Sequence, residues 1–224
     1  RGSVFPRDGA YQLYCDTMTP EGAGDLALAF EQLKAQLYKE GLFDEAHKKP
    51  LPRFPERIAI VTSSAGAAVH DMIRILRRRY PLAKVILLPV RVQGAEAPLE
   101  IAGAIRYAGK WKIGDVIITG RGGGSMEDLW AFNDERVAGA VYRSRIPVVA
   151  GIGHEVDTSI ADMVADLRAA TPSHAAQLLW PERQWYAQLV DDLEANLLEA
   201  AERRLSQADQ RLDTLGRALA WLSP

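Results

Sequence analysis

Between residues 57 and 150 the sequence alternates short, continuously apolar runs with longer segments of helical period. The apolar runs lie at 57–62, 85–88, 115–119 and 147–150, and helices are predicted between them at 69–80, 98–108 and 134–142. Apolar, β-branched runs of this length are typical of parallel strands buried on both faces. Strands that alternate with helices imply right-handed crossovers. The sequence therefore predicts an α/β domain with a doubly wound, Rossmann-like parallel sheet.

This arrangement predicts where a ligand would bind. In such sheets ligands lie beyond the carboxyl ends of the strands. The loops that follow the four predicted strands should therefore meet at one edge. That edge would bring together Ser63, Asp71, Arg121 and the residues after Gly151.

The third predicted strand leads into the glycine-rich segment GRGGGS at 120–125. Its glycines would allow positive φ angles and turn backbone N–H groups toward one point, which suits a phosphate. A helix N-terminus predicted to follow would face the same anion, and the Arg121 guanidinium could bind two phosphate oxygens. A tight strand-to-helix turn with a surface arginine is the alternative. We assign phosphate or DNA binding to Ser63, Gly122, Gly123, Gly124 and Ser125.

The fourth strand is followed by GIGHEVDTSIAD at 151–162. His154 with its neighbouring carboxylates is a candidate acid/base centre, because imidazole titrates near neutrality and a carboxylate can fix its tautomer. If a helix begins there, the i, i+3 spacing lets His154 and Asp157 face one point. A metal site is a second interpretation, although no zinc spacing or two-metal carboxylate cluster is visible. A histidine that caps a helix N-terminus is the third.

The segments before this domain predict supporting elements. Residues 11–15 have strand character, and Arg7-Asp8-Gly9 is typical of a hairpin turn. Because a lone hairpin is marginally stable, we interpret it as the last piece of a neighbouring β domain. Residues 20–43 show the period of an amphipathic helix that Gly41 closes. Three prolines within 48–55 predict an extended linker.

The segment from 173 onward carries a heptad pattern. Two sets of apolar residues recur every seven positions, at Leu198, Leu205, Leu212 and Leu219 and at Ala201, Ala208, Leu215 and Leu222. This a/d pattern predicts a helix that packs against another helix, as in a coiled coil. A long helix folded back on its own domain is the alternative.

Charge and cysteine content limit the classes of function. A net charge of −2 argues against a general nucleic-acid coat protein but leaves room for a local basic groove. The densest basic cluster, Arg74 and Arg77 to Arg79, could line such a groove or form a solvated helix face. The single cysteine, Cys15, suits a reducing cytoplasm. No apolar run approaches the roughly 18 residues that cross a bilayer, so no membrane contact is expected.

Several motifs occur in a specific order along the chain. They are TSSAGAAVHD at 62–71, QGAEAP at 93–98, GRGGGSMEDLWAFNDE at 120–135, RIPVVAGIGHEVD at 145–157 and ADLRAATPSHAA at 165–176. From about residue 11 to 176 the sequence resembles the large subunit of bacterial exonuclease VII. Two positions depart from the pattern of that family, since Ser159 stands where threonine is usual and His174 where alanine is usual.

The resemblance implies a domain organisation and an activity. In that family an N-terminal OB-fold binds single-stranded DNA, an α/β domain cleaves it to oligonucleotides, and a coiled coil carries several small subunits. Residues 1–19 would be the tail of the OB-fold, 20–56 a helix and linker, 57–172 the catalytic domain and 173–224 the start of the helical arm. Expected partners are single-stranded DNA, the small subunits and a second copy of the arm. No metal or other cofactor is expected.

The resemblance also assigns catalytic residues. Those of the family fall on Asp71, Arg121, His154 and Asp157. His154 would protonate the leaving oxygen or attack phosphorus, and Asp157 would orient it. Asp71 would position water or hold Arg121. A non-catalytic nucleotide-binding or assembly module is the alternative function.

Overall fold

A computed structural model describes the protein over residues 2–7, 10–15, 23–154, 158–180 and 183–222. The first described elements are the antiparallel strands β1 (Gly2–Arg7) and β2 (Ala10–Cys15). They confirm the predicted hairpin, whose turn residues Asp8 and Gly9 lie outside the described residues. The predicted amphipathic helix is α1 (Ala23–Lys39), and Gly41 follows it with φ +77°. Residues 48–56 form an extended linker without helix or strand, as the prolines predict.

A five-stranded parallel sheet forms the centre of the fold. Its strands are β3 (Arg57–Thr62), β4 (Lys84–Pro89), β5 (Val116–Arg121), β6 (Val148–Ile152) and β7 (Leu167–Ala169). They lie in the order β4-β3-β5-β6-β7, and every neighbouring pair is parallel. The α/β class and the four predicted strands are confirmed. Sequence analysis missed β7, because its three residues include Arg168 and form no apolar run.

Helices cover both faces of this sheet because successive strand residues point to opposite sides. The helices are α2 (Ala67–Arg79), α3 (Ala97–Trp111), α4 (Met126–Leu129), α5 (Glu135–Tyr142), α6 (Ile160–Val164) and α7 (Pro172–Leu178). Ile58 and Ile60 of β3 belong to an apolar cluster that includes buried residues of α2 and α7. The alternate residues Ala59 and Val61 belong to a second cluster with α3, α5 and α6.

The last element is the 40-residue helix α8 (Arg183–Leu222). Every residue from 191 to 222 is exposed, so the alternative that this helix folds back on its own domain is wrong. The helix begins at Arg183 rather than near residue 173, because Pro172 starts the separate helix α7. Ala175 and Ala176 bury that helix against the sheet. Among the described residues, no helix is long and apolar enough to cross a membrane.

Candidate functional site

The carboxyl ends of β3, β5 and β6 are joined by hydrogen bonds. The Thr62 hydroxyl donates to the Gly120 carbonyl at 2.7 Å. The Gly153 amide donates to the Arg121 carbonyl at 3.1 Å. These bonds place the loops after three neighbouring strands at one edge of the sheet, as the strand pattern predicts.

The glycine-rich segment differs from the predicted loop in its backbone conformation. Strand β5 extends to Arg121, so the first two residues of GRGGGS belong to the strand. Among the described residues, the glycines with positive φ are Gly41, Gly94 and Gly153. The expectation of positive φ angles within 120–124 is therefore wrong. Another physical reason accounts for glycine at these positions.

That reason is the close approach of neighbouring groups. A Cβ atom on Gly120 would lie 2.0 Å from the carbonyl oxygen of Gly151 on the adjacent strand. A Cβ atom on Gly123 would lie 1.9 Å from Cε1 of His154. Both distances are impossible for real atoms. A Cβ atom on Gly120 would push two strand backbones apart, whereas one on Gly123 would displace the His154 ring. The missing side chains let β5 and its loop pack directly against the segment that carries His154.

Arg121 is held beside this contact. Its side chain is only 13% exposed, and Nη1 donates to the Asp128 carbonyl at 2.8 Å. Nε donates to the Gly122 carbonyl at 3.2 Å. Within the described part of the chain, Nη2 donates no hydrogen bond. Because the guanidinium always carries its charge, this free edge can bind a phosphate oxygen.

Asp128 is a site residue that sequence analysis missed. The Ser125 amide donates to its Oδ2 at 3.2 Å, and the Asp128 amide donates to the Ser125 hydroxyl at 3.3 Å. These two bonds form a capping box, and the S-x-x-D spacing in SMED is its sequence signal. One Asp128 oxygen also lies 3.9 Å from Arg121 Nη1. Asp128 thus connects the end of the glycine loop to the arginine.

The capping box changes the expected role of the helix after the loop. Helix α4 has only four residues, and its first turn carries the carboxylates of Glu127 and Asp128. The Ser125 and Asp128 amides already have acceptors. Two amides at this helix N-terminus are therefore not free for an anion, and anion binding by the remaining amides stays a prediction. An anion at this edge would depend on the loop amides, the Ser125 hydroxyl proton and Arg121.

His154 lies two residues after the end of β6 and is exposed. The turn at Gly153, with φ +69°, directs the chain out of the sheet, and the imidazole lies against Gly123. The next helix that the structure describes is α6, which begins at Ile160 and has Ser159 as its N-cap. His154 is therefore not the N-cap of α6. Asp157 lies outside the described residues, so its predicted place beside His154 remains a prediction.

The other predicted residues lie on the β3 side of the site. Ser63 is half-buried just after β3, and its hydroxyl accepts a weak hydrogen bond from Ala65 N at 3.4 Å. Asp71 lies on α2, where its carboxylate accepts from Arg74 Nη2 at 2.6 Å. Within the described ranges, no contact joins Asp71 to Arg121 or His154. The structure thus brings Arg121 and His154 together around Gly123, with Ser63 at the neighbouring strand end.

No three His, Cys, Asp or Glu side chains of the described segments are grouped closely enough to hold a metal ion. Glu155 and Asp157 lie outside those segments.

Comparison with known proteins relates these features to one family. The sequence model described as "Exonuclease VII, large subunit" matches residues 42–224. The exodeoxyribonuclease 7 large subunit of Brevibacillus brevis is 50% identical over 226 residues, covering 100% of this chain and 49% of the relative. That of Bacillus subtilis is 47% identical over 99% of this chain and 50% of the relative.

A third relative, from Geobacter metallireducens, is 50% identical over 98% of this chain and 48% of its own length. The chain thus spans about half the length of the curated relatives it matches. The family match includes both the glycine-rich segment and the His154 segment. The chain belongs to the exonuclease VII large-subunit family.

Proposed function

We propose that this protein hydrolyses phosphodiester bonds of single-stranded DNA to oligonucleotides, as the large, catalytic subunit of an exodeoxyribonuclease VII complex. Membership of the family and the names of its relatives support this activity. The single observation that carries the proposal is the packing of His154 against Gly123, beside Arg121. This arrangement combines a fixed cation with a titratable group on one small surface.

The proposed mechanism assigns each group a role. A backbone phosphate lies over residues 122–125 and accepts from loop amides and the Ser125 hydroxyl, with Ser63 at its flank. Nη2 of Arg121 neutralises the charge that builds on the phosphoryl oxygens in the transition state. In one path, water attacks phosphorus while the His154 imidazolium protonates the leaving oxygen. In the other, an imidazole nitrogen attacks phosphorus and breaks the bond to the leaving oxygen, which takes a proton from water. A second water then hydrolyses the phosphoryl-histidine, which frees the imidazole and the 5′- or 3′-phosphate.

The two aspartates support these steps. Asp157 is proposed to orient the His154 imidazole and to stabilise its charged form. Arg121 already contacts Asp128 and Gly122, which favours the water-positioning role for Asp71 over the holding of Arg121. Asp71 would reach the site from α2, where Arg74 Nη2 donates a hydrogen bond to its carboxylate at 2.6 Å and orients it.

The larger assembly is part of the proposal. Helices on both faces of the sheet support a doubly wound, Rossmann-like winding. The exposed leucines of α8 support a coiled-coil arm for the small subunits or a second copy. The β1–β2 hairpin is proposed to belong to the OB-fold of residues 1–19, and 20–56, 57–172 and 173–224 to be linker, catalytic domain and arm. The single Cys15 suits a cytoplasmic location.

The test is His154→Ala in the protein extended to the length of its relatives and assembled with its small subunit. Single-turnover cleavage of a single-stranded oligonucleotide should fall by about 10²-fold or more, with strand affinity nearly unchanged. His47→Ala is the matched control, since His47 packs on Tyr142 at 5.2 Å, away from the glycine loop. Near-wild-type cleavage by folded His154→Ala would show that other residues carry out the chemistry. Bound nucleotide without any DNA cleavage would favour the nucleotide-binding module.

A second measurement concerns metal. Because proton transfer and Arg121 supply the proposed catalysis, cleavage should persist in excess chelator. Loss of cleavage in chelator and its recovery with Mg²⁺ would contradict this mechanism.

A further inference from the structure

A cavity of about 610 Å³ lies beside the candidate site, on the face of the sheet that α1 covers. One wall is formed by Phe30 and Lys34 of α1. The facing wall contains Leu129, Trp130 and Ile152. Cavities of several hundred Å³ with a mainly apolar lining and a few polar groups are typical of small-molecule binding sites.

The cavity is connected to the phosphate-binding groups through two short pieces of chain. Leu129 and Trp130 directly follow Asp128, whose carbonyl accepts from Arg121 Nη1 at 2.8 Å. On the other side, Ile152 lines the cavity and is separated from His154 by Gly153 alone. At about 1.5 Å of rise per helical residue, four-residue α4 places the cavity wall only about 6 Å from Ser125. One nucleotide can therefore reach from the loop into the cavity.

The lining favours a flat, uncharged and partly polar group. Phe30 and Trp130 are both half-buried, so each keeps part of its surface open. The charges at the rim are balanced, because Lys34 Nζ lies 3.5 Å from a Glu31 carboxylate oxygen. Thr158 and Ser159 add polar groups to the lining. Aromatic side chains next to a phosphate site are the usual means by which single strands are bound without sequence preference.

We propose that this cavity binds the base of the nucleotide whose phosphate lies on the glycine loop, with Trp130 and Phe30 as its stacking platform. The inference rests on the proposed function, since it assumes a DNA phosphate beside Arg121. It adds a base subsite that determines how the strand is seated relative to the scissile bond. Because every base has an apolar face, the subsite should favour a base over none, without strong preference among the four.

The test is a cycle that combines protein variants with base removal. A set of oligonucleotides carries one abasic nucleotide, at a different position in each. Their cleavage rates are measured with wild type, Trp130→Leu and Phe30→Leu in the full assembly. For intact strand, Trp130→Leu should lower the cleavage rate at subsaturating DNA by about tenfold. At one abasic position, the cleavage rate of wild type should also fall by about tenfold. The rate of Trp130→Leu should fall little further at that position, because both changes remove the same contact.

Two further variants keep the result interpretable. Trp130→Phe retains an aromatic ring and should recover most of the rate, which a fold defect would not do. Trp111→Leu is the matched control, since Trp111 is a 61% exposed aromatic residue of α3 that does not line the cavity. It should cleave intact strand like wild type.

The outcomes separate the two proposals. Wild-type protein that cleaves no single-stranded DNA would contradict the proposed function itself. If wild type cleaves the DNA, but the rate losses caused by base removal and by Trp130→Leu multiply at every abasic position, the base subsite is wrong. The proposed function would then still stand.

Discussion

At the residue scale, the candidate site depends on two glycines, whose lack of a Cβ atom allows neighbouring groups to approach closely. Gly120 lies against the Gly151 carbonyl, and Gly123 lies against the His154 ring, at distances that a Cβ atom would make impossible. These glycines therefore serve close packing between two chain segments rather than unusual φ angles. The geometry of the candidate site therefore depends on the space that these two glycines leave.

Gly123→Ala should accordingly displace His154. The added Cβ would lie 1.9 Å from Cε1, and the exposed imidazole has room to move away from the loop. We expect a rate loss that approaches that of His154→Ala, about 10²-fold, with little change in thermal stability. Single-turnover cleavage and a melting curve check this prediction.

Gly103→Ala on α3 is the control, because its Cβ meets nothing within 4 Å. It removes a glycine from a helix interior and should stabilise the protein by up to about 1 kcal/mol without affecting cleavage. Equal activity of Gly123→Ala and Gly103→Ala would contradict the steric argument.

Asp128→Ala should weaken catalysis through Arg121. The change removes the carboxylate that closes the capping box and lies 3.9 Å from Nη1, while the backbone carbonyl remains. Loss of a cap costs about 1 kcal/mol, so we expect a rate reduced by about 5- to 10-fold. Asp128→Glu should recover most of this loss, since glutamate is the usual partner in a capping box. The neighbour Glu127→Ala should cleave like wild type in the same assay, and identical rates for Asp128→Ala and Glu127→Ala would contradict the prediction.

At the element scale, the sheet is clamped at the edge opposite the site. Asp115, which precedes β5, accepts from the Glu56 and Arg57 amides at 3.0 and 2.9 Å and from Arg57 Nη2 at 3.0 Å. Partial burial acts to raise the pKa of this carboxyl, but the hydrogen bonds and charge of Arg57 outweigh burial. The pKa of Asp115 therefore lies below its ordinary value. Two strand starts are thereby held in register by one side chain.

Asp115→Asn should destabilise the fold at neutral pH by about 1–3 kcal/mol, because charged hydrogen bonds are lost. The sign of the pH dependence follows from the lowered pKa. The ionised carboxylate stabilises the folded state fully above the ordinary aspartate pKa of about 3.9, and this contribution disappears as pH falls through the lower folded value. The difference in free energy of unfolding between wild type and Asp115→Asn, measured in urea, should thus be constant from pH 7 to about 5 and shrink below pH 4. A constant difference down to pH 2.5 would contradict the clamp, and cleavage at pH 7 should be unaffected.

At the scale of the whole molecule, an α/β domain carries a projecting helix. The junction is aromatic: Trp180 stacks on Tyr80 with ring centroids 3.9 Å apart and contacts Phe54 and Tyr186. Beyond the junction, the heptad leucines of α8 are 62–81% exposed. A solvated helix of this kind is stabilised mainly by the packing of its apolar face. We therefore expect a partner helix to stabilise the arm by covering this apolar face.

Leu212→Asp should weaken association of the arm without destabilising the domain. Leu212 is 67% exposed, so its replacement removes no intramolecular core contact but places a charge in the apolar seam. Sedimentation equilibrium, with and without the small subunit, should show weaker complexes, while the melting temperature of the α/β domain stays unchanged. Gln210→Asp, an exposed position off the seam, is the control. Unchanged association by Leu212→Asp would exclude this part of the seam as the interface.

The sequence alone determined the elements whose causes are local. Apolar β-branched runs predict β3 to β6 to within a few residues, because burial on both faces demands such composition. The heptad leucines predict α8, since their period is a property of one helix. The meeting of strand carboxyl ends at one edge followed from the rule for parallel sheets. The strand order β4-β3-β5-β6-β7 did not follow from the sequence.

The tertiary structure decided whatever depends on contacts between distant segments. The reason for Gly123 is a ring thirty-one positions later in the chain, and no local pattern records that distance. Strand β7 forms only because β6 offers an unpaired edge, and α7 separates from α8 because its alanines can be buried on the sheet. The cavity beside Trp130 likewise exists only where α1 crosses the end of α4. Sequence patterns report the environment of each element, whereas the spaces between elements arise only when the elements pack.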